Sequence, residues 1–275
     1  MSRLSNLRSL VRERTPSPVA RLIRKALVWK RRAEFHPYVP SKQIHGESFS
    51  FCIGDATGKL WYDRSNDPPE LGFLRDRMLA PDDLVFDVGS HHGLHALFMA
   101  RHAARVVAIE PNPHNVRILR KNVELNGAKN VAIREAAVGE SHGKISLLED
   151  SGVGGVSSQK TEDSATVAVD LVTLDDLARE YGFPQLLKID VEGFEDRALK
   201  GASTILARRP KIAIEVHVDW VERYGSSVTE VVRLLNLDSY RVWVLPHRSQ
   251  IVAWAGEELT RYPSPKFNLF LLPNN

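Results

Sequence analysis

Between residues 84 and 100 the chain passes from the apolar stretch Leu84-Val85-Phe86-Asp87-Val88 through Gly89-Ser90-His91-His92-Gly93 into a second apolar run, Leu94 to Ala100. No other segment constrains the fold as tightly. The first run is short, set off by Pro81-Asp82-Asp83, and apolar on both parities, which predicts a parallel strand covered on both faces. Gly89 and Gly93 bracket a turn where a ligand and the following helix must both approach the backbone, and a Cβ would obstruct one or the other. The helix start is expected to present free N–H groups and a positive dipole end, which suits a carboxylate or a phosphate. Glycine-bracketed turns also serve packing alone, so the rest of the chain has to decide.

Downstream, strand and helix patterns alternate. Strands are expected at Arg105 to Glu110, Val131 to Val138, Lys144 to Leu148, Leu186 to Asp190, Lys211 to His217, Arg241 to Leu245 and Phe267 to Leu272. Helices are expected at His114 to Leu125, Leu174 to Tyr181, Glu195 to Leu206 and Val228 to Leu235. This order implies an α/β fold with a doubly wound, mostly parallel, Rossmann-like sheet, whose ligands bind at the carboxyl ends of the strands. The polar, Gly/Ser-rich stretch Ser151 to Ala165 is a candidate lid. Ahead of the sheet, residues 47 to 63 alternate apolar and polar around Asp55-Ala56-Thr57-Gly58, the pattern of a β-hairpin, and Glu70 to Leu79 reads as a short helix. The chain therefore divides into a basic helical appendage over 1–45, a hairpin and helix cover over 46–80 and the main domain over 81–275.

A chain of 275 residues with 43% hydrophobic residues can bury one substantial core. Its formal charge of +3 is unevenly placed: ten basic side chains against Glu13 and Glu34 give residues 1–35 a net +8 and leave −5 for the remainder. Within that head Val19, Leu22, Ile23, Ala26 and Leu27 recur at helical spacing among arginines and lysines. Such a helix docks on the main domain, or contacts an anionic membrane surface, a partner protein or nucleic acid. Cys52 is the single cysteine, which rules out an internal disulfide and a cysteine-based zinc site. With no apolar run of the roughly 18 to 20 residues a membrane span needs, the expected location is cytoplasmic, with peripheral membrane contact open to the head.

Glu110 ends the second strand of the domain 23 positions after Asp87, near the roughly 20-residue spacing at which an acid meets ribose hydroxyls in nucleotide-binding folds. Both of its oxygens can accept from a cis-diol. The segments Asp87 to Gly93, Val107 to Pro113, Ala136-Ala137-Val138-Gly139, Leu187 to Glu195 and Ile214-Glu215-Val216-His217, in that order, resemble the FkbM-type methyltransferases. The resemblance covers about residues 82 to 220. It implies a class I fold and S-adenosylmethionine as cofactor, its methionine part held by Asp87 and the turn Gly89, Ser90, His91 and Gly93. It further implies that Glu110 holds the ribose and that Ala136 and Ala137 flank the adenine. The chain departs from the family at His91, where Asn is common, and at Ala96, where Ser or Thr is common.

In a strand, residues two apart share a face, so Lys188, Asp190 and Glu192 share one if the strand extends that far, as do Glu215 and His217, and the two sets are expected to converge where the transferred methyl lies. In the class I arrangement these two strands are neighbours. Buried groups of both signs must be paired, hydrogen-bonded or metal-bound, and Lys188 is placed to neutralise one acid. Methyl transfer to an alcohol needs an aligned oxygen and a base for its proton. The expected base is His217, with Asp190 and Glu192 orienting it or the acceptor. The rival arrangement has Asp190, Glu192 and Glu215 around a divalent cation that polarises the hydroxyl. His91, His92 and His95 are poorly spaced for a metal, and His92 or His95 is instead expected to face the acceptor.

The activity expected is O-methylation of a hydroxyl on a small molecule, sugar or glycan. The alternatives are a nucleic-acid methyltransferase using the basic head for phosphate contacts, which is disfavoured, and a non-catalytic cofactor-binding scaffold. The absence of an Asn-Pro-Pro-Tyr motif after Asp190 disfavours exocyclic base-amine chemistry. His91, standing where G-x-G-x-x-G needs its second glycine, disfavours a dinucleotide oxidoreductase.

Overall fold

The computed structural model describes residues 35–63, 67–148, 166–246, 250–259 and 265–274. The basic head helix and the candidate lid lie outside the described residues. No described helix is long and apolar enough to cross a membrane.

The hairpin comes earlier in the chain than the alternation suggests. Strands β1 (Ser41–Ile44) and β2 (Glu47–Ser50) pair antiparallel around His45-Gly46, both at positive φ. The Asp55-Ala56-Thr57-Gly58 segment starts a helix instead of turning a hairpin. The Asp55 carboxylate accepts from the Gly58 N–H at 2.6 Å and caps α1 (Ala56–Tyr62), satisfying a donor that the first helical turn leaves open. Helix α2 (Pro69–Phe73) then widens into a π-helical turn over Leu74–Met78.

The main domain opens with β3 (Leu84–Val88), α3 (Leu94–Ala100), β4 (Arg105–Ile109), α4 (Pro113–Leu125) and β5 (Val131–Arg134). The strand expected over Val131 to Val138 is split. After the exposed Glu135 the chain leaves the main sheet, and β6 (Ala137–Val138) joins β7 (Gly143–Leu148) and β8 (Thr166–Val172) in a separate small sheet. There follow α5 (Leu174–Tyr181), β9 (Leu186–Ile189), α6 (Glu195–Lys200), α7 (Ser203–Ala207), β10 (Lys211–His217), α8 (Val218–Arg223), α9 (Val228–Leu235), β11 (Tyr240–Pro246), β12 (Val252–Ala253) and β13 (Lys266–Pro273). The helix expected over Glu195 to Leu206 breaks at Gly201, where a Cβ would lie 2.1 Å from the Gly139 carbonyl oxygen. The Asp175 carboxylate restarts it, accepting from the N–H groups of Thr204 and Ile205 at 2.8 and 3.0 Å.

Among the described residues the main sheet runs β12-β11-β13-β10-β9-β3-β4-β5. Strands β10, β9, β3, β4 and β5 are mutually parallel, and β13 is inserted antiparallel between β10 and β11. The chain winds outward from β3 through β4 to β5, then restarts at β9 on the other side. The crevice for a ligand in such a sheet lies at that switch, beyond the carboxyl ends of β3 and β9. The two-residue period of each strand feeds two cores. Phe86, Val88, Leu187 and Ile189 pack under α5, α6, α7 and α9. Val85, Val106 and Leu186 pack under α3 and α4 together with Phe49, Phe51 and Leu71. Hairpin, α1 and α2 are thus built into the second core, and Lys42, Ile44, Phe51, Tyr62 and Glu70 help to wall one side of the crevice.

Candidate active site

Asp87 belongs to the second face of β3 and meets Lys188, its register partner on β9. The Lys188 ammonium lies 3.0 Å from Asp87 Oδ1 and 3.7 Å from Asp190 Oδ2. Burial opposes the charge on Lys188, yet the two carboxylates hold its pKa above the ordinary lysine value. The single lysine therefore serves two acids. Asp87 itself is fully buried and does not line the crevice.

The turn after β3 uses its donors internally. Gly89 and Ser90 N–H both donate to the Ile109 carbonyl, at 2.9 and 3.1 Å, and Gly93 N–H donates to the Ser90 carbonyl at 2.8 Å. His91 N–H donates to Glu110 Oε2 at 2.9 Å, His92 N–H to the Tyr62 hydroxyl at 3.1 Å, and the Ser90 hydroxyl to the Asp87 carbonyl at 2.7 Å. The five N–H groups of the turn are thus taken by β4, by Glu110, by the cover and by the turn's own Ser90 carbonyl. The glycines serve the protein's own packing as well. A Cβ on Gly89, at φ +82, would fall 1.8 Å from the Asp190 carbonyl oxygen, and one on Gly93, at φ +95, would fall 2.5 Å from Leu119. Gly93 is walled off from the crevice, whereas Gly89, Ser90 and His91 line it.

His91 has φ +51, in the left-handed region that glycine and asparagine reach most cheaply. That conformation explains why an Asn suits the position. In this chain the imidazole Nδ1 is 2.7 Å from the Tyr62 hydroxyl, and the two rings stack with centroids 5.7 Å apart. Tyr62 is a site residue that sequence reasoning missed. It lies at the end of α1, in a region of weak patterning, and only the packing of the cover onto the turn brings it there. Ala96, on the inner face of α3, is buried in the second core and does not line the crevice.

Glu110 is nearly buried, and its carboxylate is already placed. Oε1 accepts from Asn112 N–H at 2.9 Å and from Asn115 Nδ2 at 3.1 Å, and Oε2 from His91 N–H. Three of its roughly four acceptor positions are filled, so Oε2 keeps the remaining one. The expected two-oxygen grip on a diol narrows to that atom. Ala136 and Ala137 line the crevice just beyond β5.

At the other end, β9 stops at Ile189, so strand alternation does not carry to Glu192. Instead Glu192 and Gly193 both take positive φ, 50° and 99°, and this turn brings the Glu192 side chain to the crevice. Glu192 Oε2 is buried and makes no hydrogen bond. Burial and the nearby Asp190 charge push its pKa up to about 8.

His217 ends β10 and lines the crevice, but it is not placed as a base. Its Nδ1 lies 2.9 Å from Glu195 Oε1 and its Nε2 3.1 Å from Glu215 Oε1. Burial works against charging the ring, but the bonds to Glu195 and Glu215 outweigh it and raise the pKa to about 10. An imidazolium with both N–H groups engaged has no lone pair to offer. Glu195, unforeseen from the sequence, starts the helix behind β10 and is fully buried. His95 lines the crevice with its pKa lowered, chiefly by burial and then by Lys188, whereas His92 does not line it.

The suggested cation ligands are not brought together as a set. Asp190, Glu215 and His217 offer atoms within 4.8 Å of one another, but Glu192 is not among them. The Lys266 ammonium is bonded to Glu215 Oε1, which also faces His217, and Lys188 faces Asp190. These carboxylates are neutralised by fixed cations, which leaves little for a divalent ion to compensate. The crevice measures about 870 Å³, at the upper end of the range for ligand sites and roomy enough for two molecules side by side. Seven carboxylates line it against three lysines and His217.

Residues 87–242 match the family described as the methyltransferase FkbM domain. Over 157 residues the chain is 29% identical to the hexuronic acid methyltransferase AglP of Haloferax volcanii, a match that covers 56% of this chain and 62% of that protein. Over 159 residues it is 29% identical to the methyltransferase sdnD of Sordaria araneosa, covering 45% of this chain and 61% of that one. The chain thus spans about six tenths of the length of these relatives. A solved structure of methyltransferase FkbM from Methylobacillus flagellatus aligns over 74% of this chain and 48% of its own, with 18% identity and a TM-score of 0.46.

Proposed function

Because this chain belongs to the methyltransferase FkbM family, whose methyl donor is S-adenosylmethionine, we propose that it methylates a hydroxyl oxygen of a small molecule, sugar or glycan, with Glu192 as the base. The observation that carries this reading is Glu192 Oε2, a buried carboxylate oxygen on the crevice wall without a hydrogen bond. A carboxyl raised to about 8 is basic enough to take an alcohol proton and is still partly ionised near neutrality.

The residues present fit the cofactor. Glu110 Oε2 has one acceptor position for a ribose hydroxyl, Gly89 to His91 floor the crevice beside it, and Ala136 and Ala137 give a flat apolar wall. The excess of carboxylates suits a cation, and S-adenosylmethionine, when bound, supplies an electrophilic methyl group on a positively charged sulfur. The chain's own residues do the rest. Glu192 would take the hydroxyl proton as the acceptor oxygen forms its bond to the methyl carbon and the carbon–sulfur bond breaks, the sulfur leaving as a neutral thioether. Asp190, held by Lys188, orients the hydroxyl, and His217 with Glu215 and Glu195 forms the fixed wall against which Glu192 stays desolvated.

A hexuronic acid, named for the Haloferax relative, offers both hydroxyls and a carboxylate. A carboxylate acceptor needs no base but would enter a crevice where carboxylates outnumber cations, which favours the hydroxyl. The same excess disfavours a phosphate backbone. The test is turnover of Glu192→Gln on an acceptor identified by transfer of labelled methyl from S-adenosylmethionine into a sugar and glycan extract. The expected result is a loss of about 10²- to 10⁴-fold in kcat with cofactor affinity kept. An unchanged rate would dismiss Glu192 as the base and point to a carboxylate acceptor.

A further inference from the structure

Outside the crevice, Asp55 before α1, His92 in the turn after β3 and His114 in the first turn of α4 converge. One ligand-type atom from each lies within 4.8 Å of the others. We propose that these three residues form a divalent transition-metal site, best suited to zinc, that staples the cover to the cofactor turn and to α4.

Two nitrogens and one carboxylate oxygen form a borderline donor set of the kind zinc takes, and three protein ligands leave a fourth position for water. His114 Nε2 is 2.6 Å from Asp55 Oδ2, and His92 Nε2 is 3.8 Å from the same oxygen. Bonds of about 2.0–2.1 Å in a tetrahedron put ligand atoms roughly 3.3 Å apart, so shifts of well under an ångström bring these atoms to the required spacing. His92 supplies the independent pointer to a ligand. Its side chain is wholly buried, yet neither ring nitrogen meets the distance and angle of a hydrogen bond, nor does the amide oxygen of Asn115, the side chain that comes near to bonding it. Buried imidazoles ordinarily have partners. Asp55 Oδ1 is held by the Gly58 N–H, which fixes the carboxylate from behind. Helix α1 passes over His92 at Gly58, where a Cβ would sit 3.1 Å from Nδ1.

Asp55 and His114 are partly exposed, which gives an entry path. The ion replaces the proton between His114 Nε2 and Asp55. In a neutral ring that proton passes through solvent to Nδ1, and the exposed Arg117, whose Nη2 lies 3.5 Å from Nδ1, turns away.

The full chain, stripped with a chelator, is titrated with Zn²⁺ by calorimetry and with Co²⁺ by visible absorption. The expected result is one ion per chain, the intense d–d bands of tetrahedral Co²⁺ and a melting temperature that rises with Zn²⁺. Asp55→Asn, which keeps a helix cap, and His114→Gln, at a partly exposed position, should each weaken binding at least about tenfold. Glu215→Gln should not weaken it, since its cluster lies in the crevice. Folded wild-type protein without the Co²⁺ bands would overturn the proposal and leave a hydrogen-bond network only. So would binding that survives Asp55→Asn and His114→Gln but fails in Glu215→Gln.

Discussion

Glu192 and His217 divide their roles by which of them already has partners. The imidazole receives a carboxylate at each nitrogen and is fixed as a cation, while the carboxyl, buried beside Asp190, keeps one oxygen bare. The sequence makes both eligible, since strand parity groups Glu192 with Lys188 and Asp190, and His217 with Glu215. It cannot show that Glu195, behind the sheet, reaches His217, nor that a left-handed turn at Glu192 redirects its side chain. The consequence is a rate profile. If Glu192 must be ionised to accept the proton, kcat rises with pH through about 8, the value to which burial and Asp190 raise it. No falling limb is expected from His217 below about 10, where it stays charged. Rates measured from pH 6 to 9.5 would contradict this assignment if they were flat, or if Glu192→Gln kept the same limb.

The turn after β3 shows how much of an element the sequence can disclose. Its glycines mark the place correctly, because both take positive φ. The main reason for Gly89 is not legible, since it is the backbone of β9's exit, brought there by a strand about 100 residues later in the chain. Gly89→Ala therefore meets two obstacles, the left-handed φ and a Cβ 1.8 Å from the Asp190 carbonyl oxygen. Gly127→Ala meets only the first, with φ +59 and nothing within 4 Å. Left-handed φ costs about 1–2 kcal/mol for a residue with a Cβ, so Gly127→Ala should lose about that much. Gly89→Ala should lose about 3 kcal/mol or more and shift Asp190, weakening turnover as well. Equal losses for the two variants in denaturant titrations would show that the contact with Asp190 is easily relieved. The hairpin was misplaced for a similar reason. Alternation continues past Ser50, but the Asp55 cap commits the following residues to α1.

At the scale of the molecule, alternating patterns are enough to give the parallel core of the sheet, because each central strand is buried on both faces and reads as an apolar run. They do not give the antiparallel insertion of β13, which depends on its pairing both with β11 and with the more distant β10, nor the small sheet that takes β6 away from β5. What the assembled molecule adds is a set of buried charges with linked protonation, and this fixes how stability responds to pH. Glu192 is pushed up to about 8 from an ordinary value near 4.5, so the fold favours its neutral form. That contribution is complete below about 4.5 and is lost as pH rises through about 8. His217 is raised from 6.5 to about 10, so the fold favours its charged form, complete below about 6.5 and lost as pH rises through about 10. Asp55 and Glu215 act in the opposite sense. Their carboxyls are held below the ordinary range despite burial, by His114 and the Gly58 N–H in one case and by His217 and Lys266 in the other. Their contributions are present above the ordinary carboxylate range and are lost on acidification. Stability should therefore peak in the mildly acidic range and fall steadily from about pH 6 to 10. Thermal unfolding of wild type and Glu192→Gln across pH 5 to 10 checks this, since the variant retains a neutral side chain at every pH and should flatten the decline up to about 8. A wild-type melting temperature that rises between pH 6 and 9, or a slope in Glu192→Gln identical to wild type, would mean that neither buried group sets the pH response of the fold.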